Sequence, residues 1–192
     1  MKRGRLFILS GPAGAGKGTL RNILFGELDD LAYSVSHTTR KMRPGEAEGR
    51  DYHYVSRDEF GKMVKSNEFL EWAEVHGDCY GTAKSGVERV LGEGRDIVLE
   101  IDVDGCRQVK EIEPGAVMIF ITAPSIDELE NRLKGRGTET PEQMDVRLRD
   151  AAAEMKRAAE YDRVIVNDDV GRASRELVET IKSYRKAGRR CK

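Results

Sequence analysis

The stretch from Arg5 to Leu28, RLFILSGPAGAGKGTLRNILFGEL, decides the fold. A short apolar run, Leu6, Phe7, Ile8 and Leu9, stops at the glycine-rich GPAGAGKGT. A helical pattern then begins, with apolar residues at Leu20, Ile23, Leu24 and Leu28. Gly11, Gly16 and Lys17 carry the spacing of a phosphate loop, G-x-x-x-x-G-K, between a predicted strand and a predicted helix. Glycines let the backbone curl until its N–H groups point into one hollow. The helix adds the positive end of its dipole, and Lys17 adds a full charge near the outer phosphates. Such a site suits a polyphosphate anion. One irregularity stands: the position after Lys17, usually Ser or Thr, is Gly18, with Thr19 one place late.

The remaining composition bounds what surrounds this loop. A chain of 192 residues fits one domain with a real core, or a core carrying small inserts. Charged residues make up 35%, but 33 basic and 34 acidic side chains nearly cancel, so no global nucleic-acid-binding surface is expected. No apolar run approaches the roughly 20 residues that span a bilayer. The start, MKRGRLFILSG, is too short in its apolar part for a signal peptide and leads straight into the loop. Cys79, Cys106 and Cys191 are scattered, without metal-ligand spacing, and read as free thiols in a reducing cytoplasm.

Four further segments read as buried strands: Tyr33 to His37, Ile97 to Asp102, Val117 to Thr122 and Arg163 to Asn167. The last three are near-continuous apolar runs, typical of parallel strands covered on both faces. Helical patterns separate them. One runs from about Ser85 to Gly94. A second opens at Ser125, which forms a capping-box pattern with Glu128, and a third opens at Thr140 with Gln143 and runs to about Glu160. A last amphipathic stretch passes through Leu177, Val178, Ile181 and Tyr184. Strands alternating with helices mean an α/β doubly wound sheet. The segment from about Arg40 to Lys84 breaks this rhythm. It holds a turn-rich RPGEAEG, an alternating DYHYV, a short helix capped by Ser56 and Glu59, and half of the aromatic residues. It reads as an insert with its own small core.

Bringing polyphosphates together requires positive charge, and arginine binds phosphate through a planar fork that stays ionised. Arg40 and Arg43 follow a predicted strand beside Thr38 and Thr39. Arg132, Arg136, Arg147 and Arg149 lie on two helices joined by the turn KGRGTE, a pair that could close as a lid. Arg149 matches no motif and reads as part of a solvated face. Asp102 ends the run VLEID, where a parallel strand reaches the ligand-binding edge of its sheet. His37, His53 and His76 are isolated and read as turn or packing residues.

At this point the residues resemble a known family. From Leu6 to about Tyr184 the chain is similar to the bacterial guanylate kinases. The matching motifs are GPAGAGKGT at Gly11, SVSHTTRKMRPGE at Ser34, GRDYHYVS at Gly49, EFLEWAEVHGDCYGT at Glu68, LEIDVDG at Leu99, RLKGRGTE at Arg132 and VIVNDD at Val164. The resemblance implies a phosphate-loop (P-loop) kinase: a three-layer α/β fold with a central parallel sheet, a small mixed GMP-binding insert and a helical lid. As one domain over 1–192, the core would take about 1–36, 85–124 and 156–192, the insert about 37–84 and the lid about 125–155. It further implies transfer of the γ-phosphoryl group of ATP to GMP, with magnesium, in the cytoplasm. Gly11, Pro12, Ala13, Gly14, Ala15, Gly16, Lys17, Gly18 and Thr19 would hold the ATP phosphates, and Asn167 would lie near the adenine. Ser36, Arg40, Arg43 and Tyr52 would hold the GMP phosphate. Glu71 and Thr82 would read the guanine, with Tyr80 and Asp102 nearby. Lys17, Arg132, Arg136 and Arg147 would act on the transferring group.

The physics of the base supports Glu71 beside the resemblance. Guanine offers two adjacent donors, N1–H and the N2 amine, which one carboxylate accepts together. Adenine has an acceptor at N1 and would leave the carboxylate buried without partners. The chain departs from the common pattern at Ala13, Gly18 and Cys79. Because Gly18 lacks a hydroxyl, no direct protein ligand for magnesium is implied, and Thr19 and Asp102 would act through water. Two alternatives share parts of the pattern: a kinase with another acceptor such as AMP, and a non-enzymatic guanylate-kinase-like binding module. The second tends to lose the lysine that this chain keeps. Small-molecule substrates are expected as partners, without nucleic acid or membrane, and the residues are silent on oligomeric state.

Overall fold

The computed structural model describes residues 3–75, 77–135 and 141–190, of which 141–142 and 187–190 as backbone only. Strand β1 (Leu6–Ser10) leads into helix α1 (Lys17–Glu27), followed by β2 (Leu31–Tyr33), β3 (His37–Thr38) and β4 (His53–Tyr54). Helix α2 (Arg57–Lys65), strands β5 (Phe69–Val75) and β6 (Asp78–Ala83) and helix α3 (Lys84–Gly92) come next. Then follow β7 (Asp96–Glu100), α4 (Val103–Ile112), β8 (Val117–Thr122), α5 (Ile126–Lys134) and α6 (Pro141–Lys156). A 3-10 turn (Arg157–Glu160), β9 (Arg163–Val166) and α7 (Val170–Arg190) complete the chain's elements.

These elements form two compact units. Residues up to Ile8 and Asp30–Ala116 make the first; Leu9–Asp29 and the residues from Val117 onward make the second. The major, five-stranded sheet has the order β2-β7-β1 in the first unit and β1-β8-β9 in the second, and within it β2 pairs with β7 and β8 with β9, both in parallel. Every residue of β1 and β8 is buried, as their unbroken apolar sequences require. This is the α/β class with a central parallel sheet that the alternating pattern predicts.

The first unit also carries a four-stranded mixed sheet, β4-β3-β6-β5. β3 runs parallel to β4 and antiparallel to β6, and β5 pairs antiparallel with β6. Helix α2 starts as its sequence dictates. The Ser56 hydroxyl accepts the Glu59 N–H at 3.1 Å, and the Glu59 carboxylate accepts the Ser56 N–H at 2.9 Å. Its buried Phe60 stacks on Phe69 with ring centroids 4.5 Å apart, and Cys79, Val55, Met63 and Val64 pack around the pair. The aromatic-rich segment therefore does build its own core.

Three readings change. The expected strand from Tyr33 to His37 is two strands of different sheets. Pairing with β7 ends one residue after Tyr33, where the Ser34 N–H reaches the Val98 carbonyl, and His37–Thr38 then pair with β4 and β6. The run at Arg163 is not covered on both faces: β9 is an edge strand, with Ile165 buried but Val164 and Val166 exposed. Helix α4, absent from the sequence reading, begins at Asp102, which is therefore a helix cap and not the last residue of a strand. The cap at Thr140 lies outside the described residues.

Truncating the stacked ring at the centre of the small core tests its cooperativity with the rest. Phe60→Ala should cost about 3–5 kcal/mol in denaturant unfolding, the usual penalty for an emptied aromatic site. A loss below about 1 kcal/mol would mean that this core contributes little to the folding transition.

Candidate active site

The second unit carries the phosphate loop. β1 delivers the chain to Gly11, whose φ of 135° lies outside the reach of most side chains. A Cβ there would stand 2.0 Å from the Ile121 carbonyl oxygen, so the loop turns hard against β8. Gly16, with φ 88°, caps α1 in the left-handed conformation, and Lys17 is the first helical residue. The Lys17 ammonium bonds to the carbonyls of Gly11 and Pro12. A buried amide braces the loop from the end of β9: Asn167 donates from Nδ2 to the Ala15 carbonyl at 2.8 Å, and its Oδ1 has no hydrogen-bond partner among the described residues. Arg132 meets the same point, its guanidinium donating to the Asn167 carbonyl at 2.9 Å and to Glu128 at 2.7 Å. Thus the loop, Asn167 and Arg132 come together. Ser125 caps α5 by accepting the Glu128 N–H. Glu128 itself pairs with Arg132, so the expected capping box is only half made. Arg147 sits half-buried on α6, Arg149 is exposed, and Arg136 lies outside the described residues.

The first unit gathers the other predicted residues. Glu71 is 3% exposed, an uncommon position for a carboxylate without a cationic partner in hydrogen-bond reach. Its Oε1 accepts the Thr82 hydroxyl at 2.6 Å, and Thr82 lies 3.5 Å from the Ser36 hydroxyl. Burial pushes the Glu71 carboxyl up to about 7; the Thr82 bond opposes this, and the nearby Asp102 charge adds to it. Asp102 accepts the N–H groups of Asp104 and Gly105 on one oxygen, each at 2.8 Å, and so opens α4.

Beside this buried group stands an arginine and tyrosine cluster. The Arg40 guanidinium lies 5.3 Å from the centroid of the Tyr52 ring, and Tyr52 meets Tyr80 edge-on at 5.8 Å. Arg40 also pairs with Glu46 at 2.7 Å. Glu46 was not singled out from the sequence. It bonds to Arg40, the Arg43 N–H and the Tyr54 hydroxyl, which tie the turn together. The bond from Arg40 holds its carboxyl down at about 2, against the opposing effect of burial. The signal that could have found it is the acid closing RPGE, six residues after Arg40. The Arg43 side chain is exposed. The His37 and His53 rings pack at a tilt with centroids 4.8 Å apart, which agrees with packing roles, and His76 lies outside the described residues. Among the described residues, no three His, Cys, Asp or Glu side chains form a group able to hold a metal, and no helix is long and apolar enough to cross a membrane.

A phosphate loop opening the first helix of a parallel α/β sheet defines the class of phosphate-loop kinases. Comparison with known proteins narrows it. The guanylate kinase family model matches residues 3–184. The guanylate kinase of Rubrobacter xylanophilus is 46% identical over the full length of both chains. That of Alkalilimnicola ehrlichii is 48% identical over 91% of this chain and 86% of its own. The crystal structure of guanylate kinase from Anaplasma phagocytophilum superposes with a TM-score of 0.80 at 33% identity, covering 95% of this chain and 87% of that one. A shikimate kinase from Bacteroides thetaiotaomicron, with a TM-score of 0.53 at 14% identity over 93% of this chain and 98% of its own, shares the fold alone. The chain belongs to the guanylate kinase family. It is an enzyme that transfers the γ-phosphoryl group of ATP to GMP, giving ADP and GDP.

The buried Glu71 has a consequence for stability. A carboxyl whose folded pKa is raised from 4.5 to about 7 binds more protons in the native than in the unfolded state between those values. Stability therefore falls as pH rises through that window. Replacing it with glutamine should stabilise the protein at about pH 8 relative to about pH 5, by an amount on the order of 3 kcal/mol. Urea unfolding of both proteins without nucleotide checks this; a difference independent of pH would contradict it.

Proposed function

We propose that the two groups of residues divide the reaction between donor and acceptor. In the donor half, Gly11 to Thr19 hold the ATP phosphates with their backbone N–H groups and the start of α1. Lys17, whose ammonium bonds to the Gly11 and Pro12 carbonyls, takes phosphate oxygens as charge-assisted partners. Arg132, anchored at Asn167, supplies a fixed positive charge, and Arg136 and Arg147 add to it as the lid closes. The free Oδ1 of Asn167 suits an amine donor such as that of adenine. In the acceptor half, Arg40, Arg43, Tyr52 and Ser36 take the GMP phosphate, which competes with Glu46 for Arg40. Glu71 reads the guanine, supported by Thr82, with Tyr80 and Asp102 alongside.

The observation that carries this reading is the burial of Glu71 with, among the described residues, the Thr82 hydroxyl as its one side-chain hydrogen-bond partner. Burying a carboxylate costs several kcal/mol unless it is paired. The two donors of guanine offset that cost, whereas adenine cannot. Transfer itself needs no covalent intermediate: the chain's residues orient the GMP phosphate oxygen, exclude water and stabilise the charge on the moving group. Magnesium prefers oxygen donors and retains several waters, and it fits this chain as a companion of ATP, neutralising phosphate charge. The half-buried Gly18 offers no hydroxyl, so the exposed hydroxyl-bearing Thr19 would meet the ion's waters. We assign about 37–84 to the GMP-binding insert, about 125–155 to the lid and the rest to the core. Near-neutral charge and the buried cysteines Cys79 and Cys106 support a cytoplasmic setting with small-molecule partners.

A coupled ADP-release assay with ATP and each monophosphate in turn tests the assignment, and Lys17→Ala tests the donor half. Turnover should fall roughly a hundredfold or more while unfolding stability holds, as for loss of one preorganised electrostatic donor. Near-normal turnover would remove Lys17 from the reaction. Gly18→Ser tests the missing hydroxyl. A Cβ at position 18 meets nothing within 4 Å, so serine fits without strain. Catalytic efficiency should change by less than about tenfold. A hundredfold gain with tighter magnesium dependence would show that the chain lacks a needed ligand.

A further inference from the structure

Helix α4 meets β5 at two positions for which the sequence reading has no role, one against Glu71 and one on the residue that follows it. Gly105 is buried in its first turn, with ordinary helical backbone, so conformation does not demand glycine there. Space does. A Cβ at Gly105 would stand 2.5 Å from Glu71 Oε2 and 3.2 Å from its Cδ, closer than side chains tolerate. One turn later, on the same face, Gln108 grips the neighbouring residue of β5. Its Nε2 donates to the Trp72 carbonyl at 3.0 Å, and its Oε1 accepts the Trp72 N–H at 3.3 Å.

β5 is the edge of the mixed sheet, and Gln108 meets polar groups that a further strand would otherwise satisfy. The register of β5 against β6 also shifts between Phe69 and Glu71, an irregularity of the kind that re-aims a side chain. Thr82 holds one carboxylate oxygen from the strand side, and Gly105 bounds the other from the helix side.

We propose that Gly105 and Gln108 are specificity-positioning residues: α4 fixes the plane and depth of the Glu71 carboxylate so that both of its oxygens meet guanine. The inference rests on Glu71 reading the base, as argued above. A pair of parallel hydrogen bonds to N1–H and the N2 amine tolerates little displacement. A Cβ at position 105 displaces Oε2 by about an ångström, a scale at which misplacement can cost about a hundredfold.

Steady-state kinetics of the full chain with GMP and with inosine monophosphate, which lacks the N2 amine, test this. Gly105→Ala should lower efficiency with GMP by about 10–100-fold, mainly through KM, and lower it much less with inosine monophosphate, so the preference for GMP contracts. Gln108→Ala should contract it in the same sense by roughly 3–10-fold. In a Glu71→Asp background the shorter side chain leaves room, so adding Gly105→Ala should cost less than about threefold more. Equal losses for both substrates in Gly105→Ala and Gln108→Ala would overturn the proposal in favour of a merely structural role. Should Gly105→Ala fail to fold, Gln108→Ala decides alone. Glu71→Gln separates the two levels. If it leaves the preference intact, the reading of Glu71 fails and the proposal with it. If it abolishes the preference while the α4 variants keep it, only the positioning role fails.

Discussion

A loop whose backbone N–H groups converge on one hollow opposes itself, because like ends of peptide dipoles repel. The protein must therefore hold that loop in shape with neighbours. Gly11 lies so close to β8 that only a residue without a Cβ fits, and Gly16 starts α1 in a conformation that side chains rarely adopt. The Asn167 amide fastens the middle of the loop at Ala15, and Lys17 folds onto its first carbonyls. Arg132 then depends on the same asparagine through its backbone carbonyl. The phosphate-loop group is thus built outward from one constrained turn.

The residues proposed to take the acceptor obey a different constraint, the burial of a carboxylate. Glu71 is surrounded by the sheet, the Thr82 hydroxyl and the helix turn at Gly105, and among the described residues no cation lies within hydrogen-bond reach to balance it. Its raised pKa measures that unfavourable setting. On the proposed reading, a ligand with two adjacent donors relieves it, and selectivity would follow from how poorly the site tolerates the wrong base. The contrast with Arg40 is instructive. That guanidinium is paired with Glu46 and rests against Tyr52, so it is held in place by a charge that phosphate can replace. On that reading one half would select by strain, the other by exchange of partners.

Much of this was legible in the order of the residues. Period and punctuation placed β1, α1, β8 and the capped α2, since each depends on local spacing, unbroken apolarity or a cap three residues from its partner. The glycine–lysine spacing located the loop, and the aromatic cluster between Arg40 and Lys84 correctly announced a separate core. The strand at Tyr33 misled because YSVSH alternates as one strand does, while the chain changes sheets within it, a choice made by distant partners in β6 and β7. Val164 and Val166 misled because apolarity does not reveal whether a strand is central or at an edge.

The sequence by itself determined the class of site: which anion the loop suits, which residues carry positive charge, and which carboxylate would suit the two donors of guanine. Those properties belong to residue types and short spacings. Only the tertiary structure decided how the groups are held. It paired Glu46 with Arg40, joined Asn167 to Ala15 across 152 positions, and turned Gly105 of an unexpected helix toward Glu71. The reason is physical. Such contacts are set by the closest approach of elements far apart in the chain, and no local period encodes that distance.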